Sequence, residues 1–237
     1  MAIDTIRAAL PALGHAWDAG VVTTPPTWTE PGVRTFTCTR CEATKTKTIP
    51  AVSEAGSAEN NPFADVKESV YYFLPVTWAV YCEPQVTTGV SKTRFAPNDT
   101  CTREQVVTFL WRAAGCPKPT AEDCPFTDVK KGGYYEEAVL WAVETGVTHG
   151  VNRTKFGVGE ACTRAQVVTF LRRAKGASTP STTDNPFRDV SADAYYCSAV
   201  LWAVETGVTA GTSKTRFSPN DVCTRGQIVT FLYRAYH

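Results

Sequence analysis

Cys162-Thr-Arg-Ala-Gln-Val-Val-Thr-Phe-Leu171 organises this chain of 237 residues, because close copies of it begin at Cys101 and Cys223. A second motif, Phe-x-Asp-Val, precedes each copy, and it begins at Phe63, Phe126 and Phe187. The second and third copies keep an offset of 61 residues along the whole stretch. Self-similarity with such a period indicates a repeated supersecondary unit, so we expect function to arise from what the units build together.

The sequence of each unit predicts two helices joined by a loop. In the second unit, the first helix is predicted over residues 135–145 and is ended by Gly146, a C-cap signal. The second helix is predicted to begin at Thr163. Its apolar face consists of Val167, Phe170, Leu171 and Ala174. A two-helix unit cannot bury its apolar face alone, so the predicted fold is mainly α, with three tandem helix-loop-helix repeats packed on one another.

The tetrad Thr-Arg-x-Gln opens each second helix, at 102–105, 163–166 and 224–227. Thr and Gln at this spacing predict a capping box. The Thr side-chain oxygen accepts the main-chain amide of the Gln, and the Gln side chain reaches back to the main-chain amide of the Thr. The box does not explain Arg103, Arg164 and Arg225, which stand at the positive end of the helix dipole. A guanidinium beside free helix amides is an anion site. The alternative is an inter-repeat salt bridge between each Arg and an Asp.

Two further positions recur in every unit, a Trp within the first helix and a Gly in the loop that follows. They are Trp78, Trp141, Trp202, Gly89, Gly150 and Gly211. The Trp side chains either pack in the core or offer an apolar face and an N–H group to a sugar ring at the border of a groove. The Gly residues allow a turn with positive φ, a close backbone approach to a ligand, or both.

The ordered motifs resemble S-layer homology repeats. The resemblance rests on Phe-x-Asp-Val, Ala-Val-x-Trp-Ala, Gly-Val-Thr-x-Gly, Phe-x-Pro-Asn-Asp and Cys-Thr-Arg-x-Gln, and it covers residues 61–237. Repeats two and three carry most elements, and repeat one carries them with changes. The resemblance implies a pseudo-threefold helical bundle. It also implies a non-catalytic module that anchors a surface protein to secondary cell-wall polysaccharide, often through a pyruvylated sugar.

Within this resemblance, the key Arg of the family matches Arg103, Arg164 and Arg225, and a pyruvate ketal would supply a carboxylate for them. Our predicted glycan site combines these residues with the recurring Trp and Gly positions and with the Asp of Phe-x-Asp-Val. Those Asp residues are Asp65, Asp128 and Asp189. Two departures affect the site. Gln replaces the usual Glu of the tetrad, and repeat two has Phe156-Gly-Val-Gly-Glu in its loop. His149 lies near this loop in the sequence, and we expect it to be an exposed loop residue.

The composition argues against two classes of protein. A net charge of +1 argues against a general nucleic-acid binder, and no apolar run reaches the ~18 residues of a membrane span. Residues 1–7 lack the basic and apolar regions of a signal peptide. Either the protein stays inside the cell, or this chain is the C-terminal part of a longer surface protein at the cell wall, the location that the resemblance implies.

The nine cysteines show no overall disulfide framework. Cys101, Cys162 and Cys223 share one repeat position directly before a helix, where we expect buried free thiols. Cys116 and Cys124 bracket a Pro-rich linker, and a short disulfide loop between them is the alternative to free thiols.

The N-terminal part predicts a separate small module. We divide the chain into a β-rich Cys-x-x-Cys module at 1–52, a linker at 53–60, and repeats at 61–115, 125–176 and 186–237. Residues 33–38 and 44–49 alternate like two paired strands. Cys38 and Cys41 lie at the turn between them, and His15 is a possible third zinc ligand. A structural zinc site normally needs four ligands, so we expect a disulfide or two free thiols and no metal or other cofactor.

Three functional hypotheses follow from the sequence. The first is a glycan-binding anchor with grooves between adjacent repeats. The second is an enzyme acting on wall glycans, but no unique acid, base or nucleophile stands out against the repeats. The third is a protein-interaction scaffold whose repeats bind no glycan.

Overall fold

The computed structural model describes residues 14–18, 20–24, 26, 29–51 and 61–237. Within these described residues, three strands come first: β1 (Val21–Thr24), β2 (Gly32–Thr37) and β3 (Thr44–Ile49). Six helices follow: α1 (Phe73–Tyr81), α2 (Arg103–Ala113), α3 (Glu136–Glu144), α4 (Arg164–Ala174), α5 (Cys197–Glu205) and α6 (Arg225–Tyr236). The predicted mainly helical fold after a small β-rich part is therefore confirmed. The predicted linker at 53–60 and the chain start at 1–7 lie outside the described residues.

The predicted capping boxes start the second helix of each repeat. At α4, Thr163 Oγ1 accepts the Gln166 amide at 3.4 Å, and Gln166 Oε1 accepts the Thr163 amide at 3.0 Å. The same pair of bonds opens α6. At α2, Gln105 keeps its half of the box at 3.2 Å, whereas the buried Thr102 Oγ1 has no hydrogen-bond partner among the described residues. These caps fix where each second helix begins, and so where its Arg stands.

The helices pack in pairs that cross the repeat boundaries. The helix α2 packs on α3, and α4 packs on α5, so each second helix contacts the first helix of the following repeat. The last helix, α6, returns to pack on α1. The three second helices, α2, α4 and α6, also contact one another. The repeats therefore form one body in which the chain end closes on the first repeat.

A cycle of main-chain hydrogen bonds joins the three repeats where their second helices begin. The Cys101 amide donates to the Cys223 carbonyl at 3.1 Å, the Cys223 amide to the Cys162 carbonyl at 3.0 Å, and the Cys162 amide to the Cys101 carbonyl at 2.9 Å. All three residues are fully buried free thiols, as predicted. Burial raises the pKa of Cys101 and of Cys223 to about 12, so these thiols stay protonated at neutral pH.

One continuous apolar core extends through the three repeats. It contains a Phe from each loop (Phe95, Phe156 and Phe217), none of which is exposed to solvent. The core also contains Trp141, for which core packing was one of two interpretations, and the predicted apolar face of α4. In the part of the chain that the structure describes, no helix has the length and apolar character to cross a bilayer.

The N-terminal strands form an antiparallel sheet in the order β1-β2-β3. The predicted hairpin is confirmed, with Val33 opposite Thr48, whereas β1 was missed by the sequence analysis. Arg34 of β2 forms an ion pair with Glu83 at 3.0 Å. Glu83 follows α1 in a segment where repeat one differs from the others, so this segment contacts the sheet.

Each loop after a first helix is held by the Asp of the Phe-x-Asp-Val motif. In repeat two, the Asp128 carboxylate accepts three successive amides, of residues 156–158, at 2.8, 2.8 and 3.1 Å. Asp65 and Asp189 accept two amides each in their own repeats. Desolvation acts to raise the pKa of Asp128, but the amides outweigh it and lower the pKa below its ordinary value. This Asp therefore has a structural role.

We predict that Asp128→Ala destabilises the fold by about 2–3 kcal/mol, because three main-chain amides lose a charged acceptor. The lowered pKa means that the contribution is present above the ordinary value of 3.8 and is lost as the pH falls through the lowered pKa. Urea unfolding at pH 7 and at pH 3 measures both effects. Asp123→Ala, at an exposed position, is the matched control and should leave the unfolding free energy unchanged within about 0.5 kcal/mol. Equal stability of the two variants at pH 7 would contradict the structural role.

Candidate functional site

The recurring Arg side chains lie at the seams between repeats. Each Nε donates to the carbonyl of the loop Phe in the following repeat. The three bonds are Arg103 to Phe156 at 3.0 Å, Arg164 to Phe217 at 2.9 Å, and Arg225 to Phe95 at 2.9 Å. The amide of the same Phe is held by the Asp of its own repeat. One loop residue thus joins the Asp of one repeat to the Arg of its neighbour.

Aromatic rings flank each guanidinium. The Cζ atom of Arg103 lies 5.2 Å from the ring centres of both Phe156 and Phe170. Arg225 lies 4.8 Å from Phe95 and 5.4 Å from Phe109, and Arg164 has an equivalent pair of rings. Such contacts are attractive because the ring face is electron-rich. They hold the flat guanidinium in one plane, so its direction is fixed by the fold.

The predicted alternative of an inter-repeat salt bridge is wrong for these residues. Arg103, Arg164 and Arg225 are 3%, 4% and 5% exposed, yet none forms an ion pair with a carboxylate among the described residues. Each of these Arg residues donates instead to a main-chain carbonyl of the neighbouring repeat. Burial lowers the pKa of Arg225, but an arginine stays charged at neutral pH. Each seam therefore contains a buried cation with no carboxylate in contact with it among the described residues.

A cavity of about 260 Å³ opens beside Arg225. Its lining comes from all three repeats. The lining residues are Thr87, Thr88, Gly89, Val90, Gln105, Thr108, Phe109, Arg112, Tyr134 and Arg225. We call this cavity, together with the equivalent positions at the other two seams, the seam grooves. Two of its residues are cationic and none is anionic, so it favours a negatively charged group.

The other two seams place the same residue types together. Although most of the Tyr195 side chain is exposed, partial desolvation raises its pKa, and the nearby charges of Arg103 and Arg173 offset part of this rise. Partial desolvation likewise raises the pKa of Tyr71, whose neighbours Arg164 and Arg234 act in the opposite direction. Each seam groove thus pairs one Tyr with an Arg from the start of one helix and an Arg from the end of another.

The sequence analysis missed two members of the seam groove. Tyr71, Tyr134 and Tyr195 are 62%, 60% and 67% exposed, which is unusual for large aromatic residues. The second Arg of each seam donates to the main-chain carbonyl of a Val near the loop, at 3.2 Å in each repeat. These residues are Arg112, Arg173 and Arg234. Both sets recur in register with the repeats, and this recurrence was the signal that could have identified them.

The recurring Gly residues adopt the predicted turn with positive φ, whereas their close approach to a ligand stays a prediction. Gly89 has a φ of 80° and lines the cavity. A Cβ at Gly150 would lie 2.5 Å from the Lys155 carbonyl and 2.6 Å from the Phe126 ring. The position therefore excludes every larger residue, because the loop passes directly over the Phe of the Phe-x-Asp-Val motif.

The recurring Trp residues lie elsewhere. Trp78, Trp141 and Trp202 are between 5% and 7% exposed, and none lines the cavity beside Arg225. Trp78 packs edge-on against Tyr233, with ring centres 5.8 Å apart. Burial favours the core-packing interpretation, and a direct contact of these rings with a sugar stays a prediction. The Asp residues of Phe-x-Asp-Val also lie outside the cavity lining.

A side chain of repeat one supports the altered loop of the second repeat. Val158-Gly159 replaces the Pro-Asn of the other loops, and Glu104 Oε2 of repeat one accepts the Gly159 amide at 2.9 Å. Repeats two and three have Ala165 and Gly226 where repeat one has Glu104. The predicted exposure of His149 is confirmed.

Comparison with known proteins agrees with this geometry. The model of the S-layer homology domain matches residues 62–107, 125–168 and 186–229, which together are more than half of the chain. The chain therefore belongs to the S-layer homology domain family, in three tandem copies.

Several relatives share a stretch of this sequence. A cell surface protein of Thermoanaerobacter kivui is 33% identical over 119 residues, which are 48% of this chain and 16% of that protein. A surface-layer 125 kDa protein of Lysinibacillus sphaericus is 34% identical over 119 residues, 50% of this chain and 10% of that protein. An endoglucanase of Bacillus sp. (strain KSM-635) is 36% identical over 113 residues, 48% of this chain and 12% of that protein. The chain thus spans less than a fifth of each of these relatives.

We predict that Gly150→Ala destabilises the fold by about 3 kcal/mol or more, since the new Cβ meets main-chain and ring atoms in a left-handed conformation. Gly146→Ala is the matched control, because Gly146 also has positive φ (72°) but open space around its Cβ position. Its cost should stay near the ~1 kcal/mol of backbone strain alone. Thermal unfolding followed by circular dichroism compares the two, and equal losses would show that the close approach is unimportant.

Proposed function

We propose that this chain is a non-catalytic module that anchors a protein to the bacterial cell wall by binding an acidic secondary cell-wall polysaccharide in the seam grooves. The acidic group that fits best is the carboxylate of a ketal-linked pyruvate. Membership of the S-layer homology family supports a wall-anchoring role at the cell surface, and two relatives are surface proteins by name.

One observation carries the proposal: each seam holds a buried guanidinium without a carboxylate partner. A buried charge without a counter-charge is costly, so an anion that enters the groove gains a strong charge-assisted contact. The Nε atom of each Arg is already committed to the Phe carbonyl. The Nη atoms of the fork are therefore the groups that would meet the ligand, although one Nη of Arg103 also donates to Thr148 Oγ1 at 3.4 Å.

The rest of the seam groove suits a sugar. At the first seam, Tyr134 offers an exposed ring on which a pyranose can stack, and Arg112 and Gln105 line the same cavity with polar groups. Gly89 brings the main chain to the cavity wall without a side chain. Small ligand sites combine such apolar surface with a few placed polar groups. The proposed contacts of the Trp and Asp positions with the glycan are indirect, through the loops and helices that they support.

In this proposal the three repeats form a pseudo-threefold bundle with up to three binding grooves. The cyclic packing of the helices and the cycle of Cys hydrogen bonds support this arrangement. Residues 61–115, 125–176 and 186–237 are its three repeats, and the β-rich module at 1–52 is joined to them through the linker at 53–60. If several grooves bind the same polymer, the avidity of the whole module exceeds the affinity of any single groove.

A scaffold without glycan binding is the alternative. One observation favours it: the seam Arg residues stabilise the fold, because each bonds the loop of its neighbour. A test must therefore remove the charge without removing the structural bond.

We predict that the triple variant Arg103→Gln, Arg164→Gln and Arg225→Gln stays folded but loses binding to native cell-wall sacculi in a co-sedimentation assay. Gln keeps an N–H donor near the position of Nε and removes the charge. A lost charge-assisted hydrogen bond is worth about 1.5–3 kcal/mol, so binding at each occupied groove should weaken by roughly tenfold or more. Circular dichroism confirms that the variant is folded.

The control is a triple Gln variant of three exposed residues, Arg153, Arg188 and Arg216, which changes the net charge equally. It should pellet like the wild type. Walls stripped of ketal-linked pyruvate should retain little of the wild-type chain, and full retention would contradict the pyruvate assignment. If the seam variant pellets as well as the wild type, the Arg residues are structural and the scaffold alternative stands.

A further inference from the structure

Three metal-ligating side chains converge in the N-terminal module, far from the seam grooves in sequence. The ligand atoms of His15, Cys38 and Cys41 all lie within 4.8 Å of one another. Cys41 Sγ and His15 Nδ1 are 3.2 Å apart. Ligand atoms around a tetrahedral zinc ion at ~2.3 Å for sulfur and ~2.0 Å for nitrogen stand about 3.3–3.8 Å apart. The cluster therefore needs only a small adjustment to hold such an ion.

The main chain holds the two Cys residues in a tight turn between β2 and β3. The Cys38 amide donates to the Ala43 carbonyl at 2.8 Å, and the Glu42 amide donates to the Cys38 carbonyl at 3.1 Å. Glu42 has a φ of 57°, which turns the chain sharply. The turn brings Cys41 back over Cys38, so the spacing of the two thiols is set by the hairpin.

A separate segment places His15 beside this turn. Trp17 pairs with Cys38 as an antiparallel bridge, and the Thr39 amide donates to the Ala16 carbonyl at 2.8 Å. Asp18 Oδ1 accepts the amide of Thr37 at 2.9 Å and so holds the same segment against the end of β2. Main-chain pairing with the end of β2 thus holds the segment that contains His15 beside the hairpin.

The three ligands differ in their exposure to solvent. Cys38 is 2% exposed, whereas Cys41 and His15 are exposed. One side of the cluster is therefore closed by protein, and the other side is open to solvent.

The described part of the N-terminal module buries little apolar surface. In the N-terminal module, the described apolar residues that are fully buried are Cys38 and Ala51, and most of β3 is exposed. Small modules without a sufficient core usually depend on disulfides or a metal. All nine cysteines are free thiols in this structure. A metal ion bound by both the hairpin and the His15 segment would connect the two and stabilise the module.

We propose that His15, Cys38 and Cys41 form a zinc site that fastens the N-terminal module. Two thiolates and one imidazole suit zinc rather than calcium or magnesium, which prefer oxygen ligands. Two thiolates also neutralise a divalent ion. No fourth His, Cys, Asp or Glu joins the cluster among the described residues. The fourth position is open on the exposed side and takes water or a ligand from outside the cluster.

Cobalt(II) titration of the reduced full-length chain under anaerobic conditions tests the site. We expect one equivalent to bind, with a thiolate-to-cobalt charge-transfer band in the near ultraviolet and strong visible d–d bands of a tetrahedral ion, both bleached by zinc. Cys41→Ser and His15→Asn should each weaken cobalt binding by roughly 100-fold or more, because even outer-shell changes at zinc sites cost about 10–100-fold.

The matched control is the double variant Cys116→Ser and Cys124→Ser, which removes two partly exposed thiols of another region and should leave the spectrum unchanged. Far-ultraviolet circular dichroism shows that the helical repeats stay folded in every variant. Failure of the reduced wild-type chain to give the cobalt bands would overturn the proposal. Loss of the bands in the Cys116 and Cys124 variant, with the Cys41 variant unaffected, would overturn it as well.

Discussion

The main-chain hydrogen bonds that link Cys101, Cys162 and Cys223 in a cycle are the constraint on which the rest of the structure depends. A cycle of three bonds can close only if the three repeats approach one another equally at this point. Cys suits the position because it is small, apolar and able to stay protonated when buried. The packing of α6 on α1 completes the closure at the periphery of the body.

The same closure creates the candidate site. Each Arg follows two residues after a Cys of the cycle, so its side chain is delivered to the loop of the next repeat. There its Nε bonds the Phe carbonyl while the remaining guanidinium stays without a carboxylate. In the proposed anchor, the same residue would therefore serve both the fold and the binding of the glycan.

Local features of the fold could be predicted from the sequence, but contacts between repeats could not. The capping boxes, the C-cap at Gly146 and the burial of Cys162 depend on neighbouring residues, and they were predicted correctly. The salt bridge to an Asp, which was the alternative to an anion site for each Arg, was wrong, because a sequence shows side-chain charges and does not show which main-chain carbonyl comes within reach. Tyr134 was missed for a related reason, since its exposure depends on how two other repeats pack beside it.

Native-state hydrogen exchange at the amides of Cys101, Cys162 and Cys223 tests the central claim most directly. If the cycle makes the three repeats one cooperative body, the three amides should share a single opening free energy, equal to that of global unfolding measured with denaturant. A lower opening free energy at one of these amides would show that a repeat opens independently. That result would contradict the closed arrangement from which the seam grooves are derived.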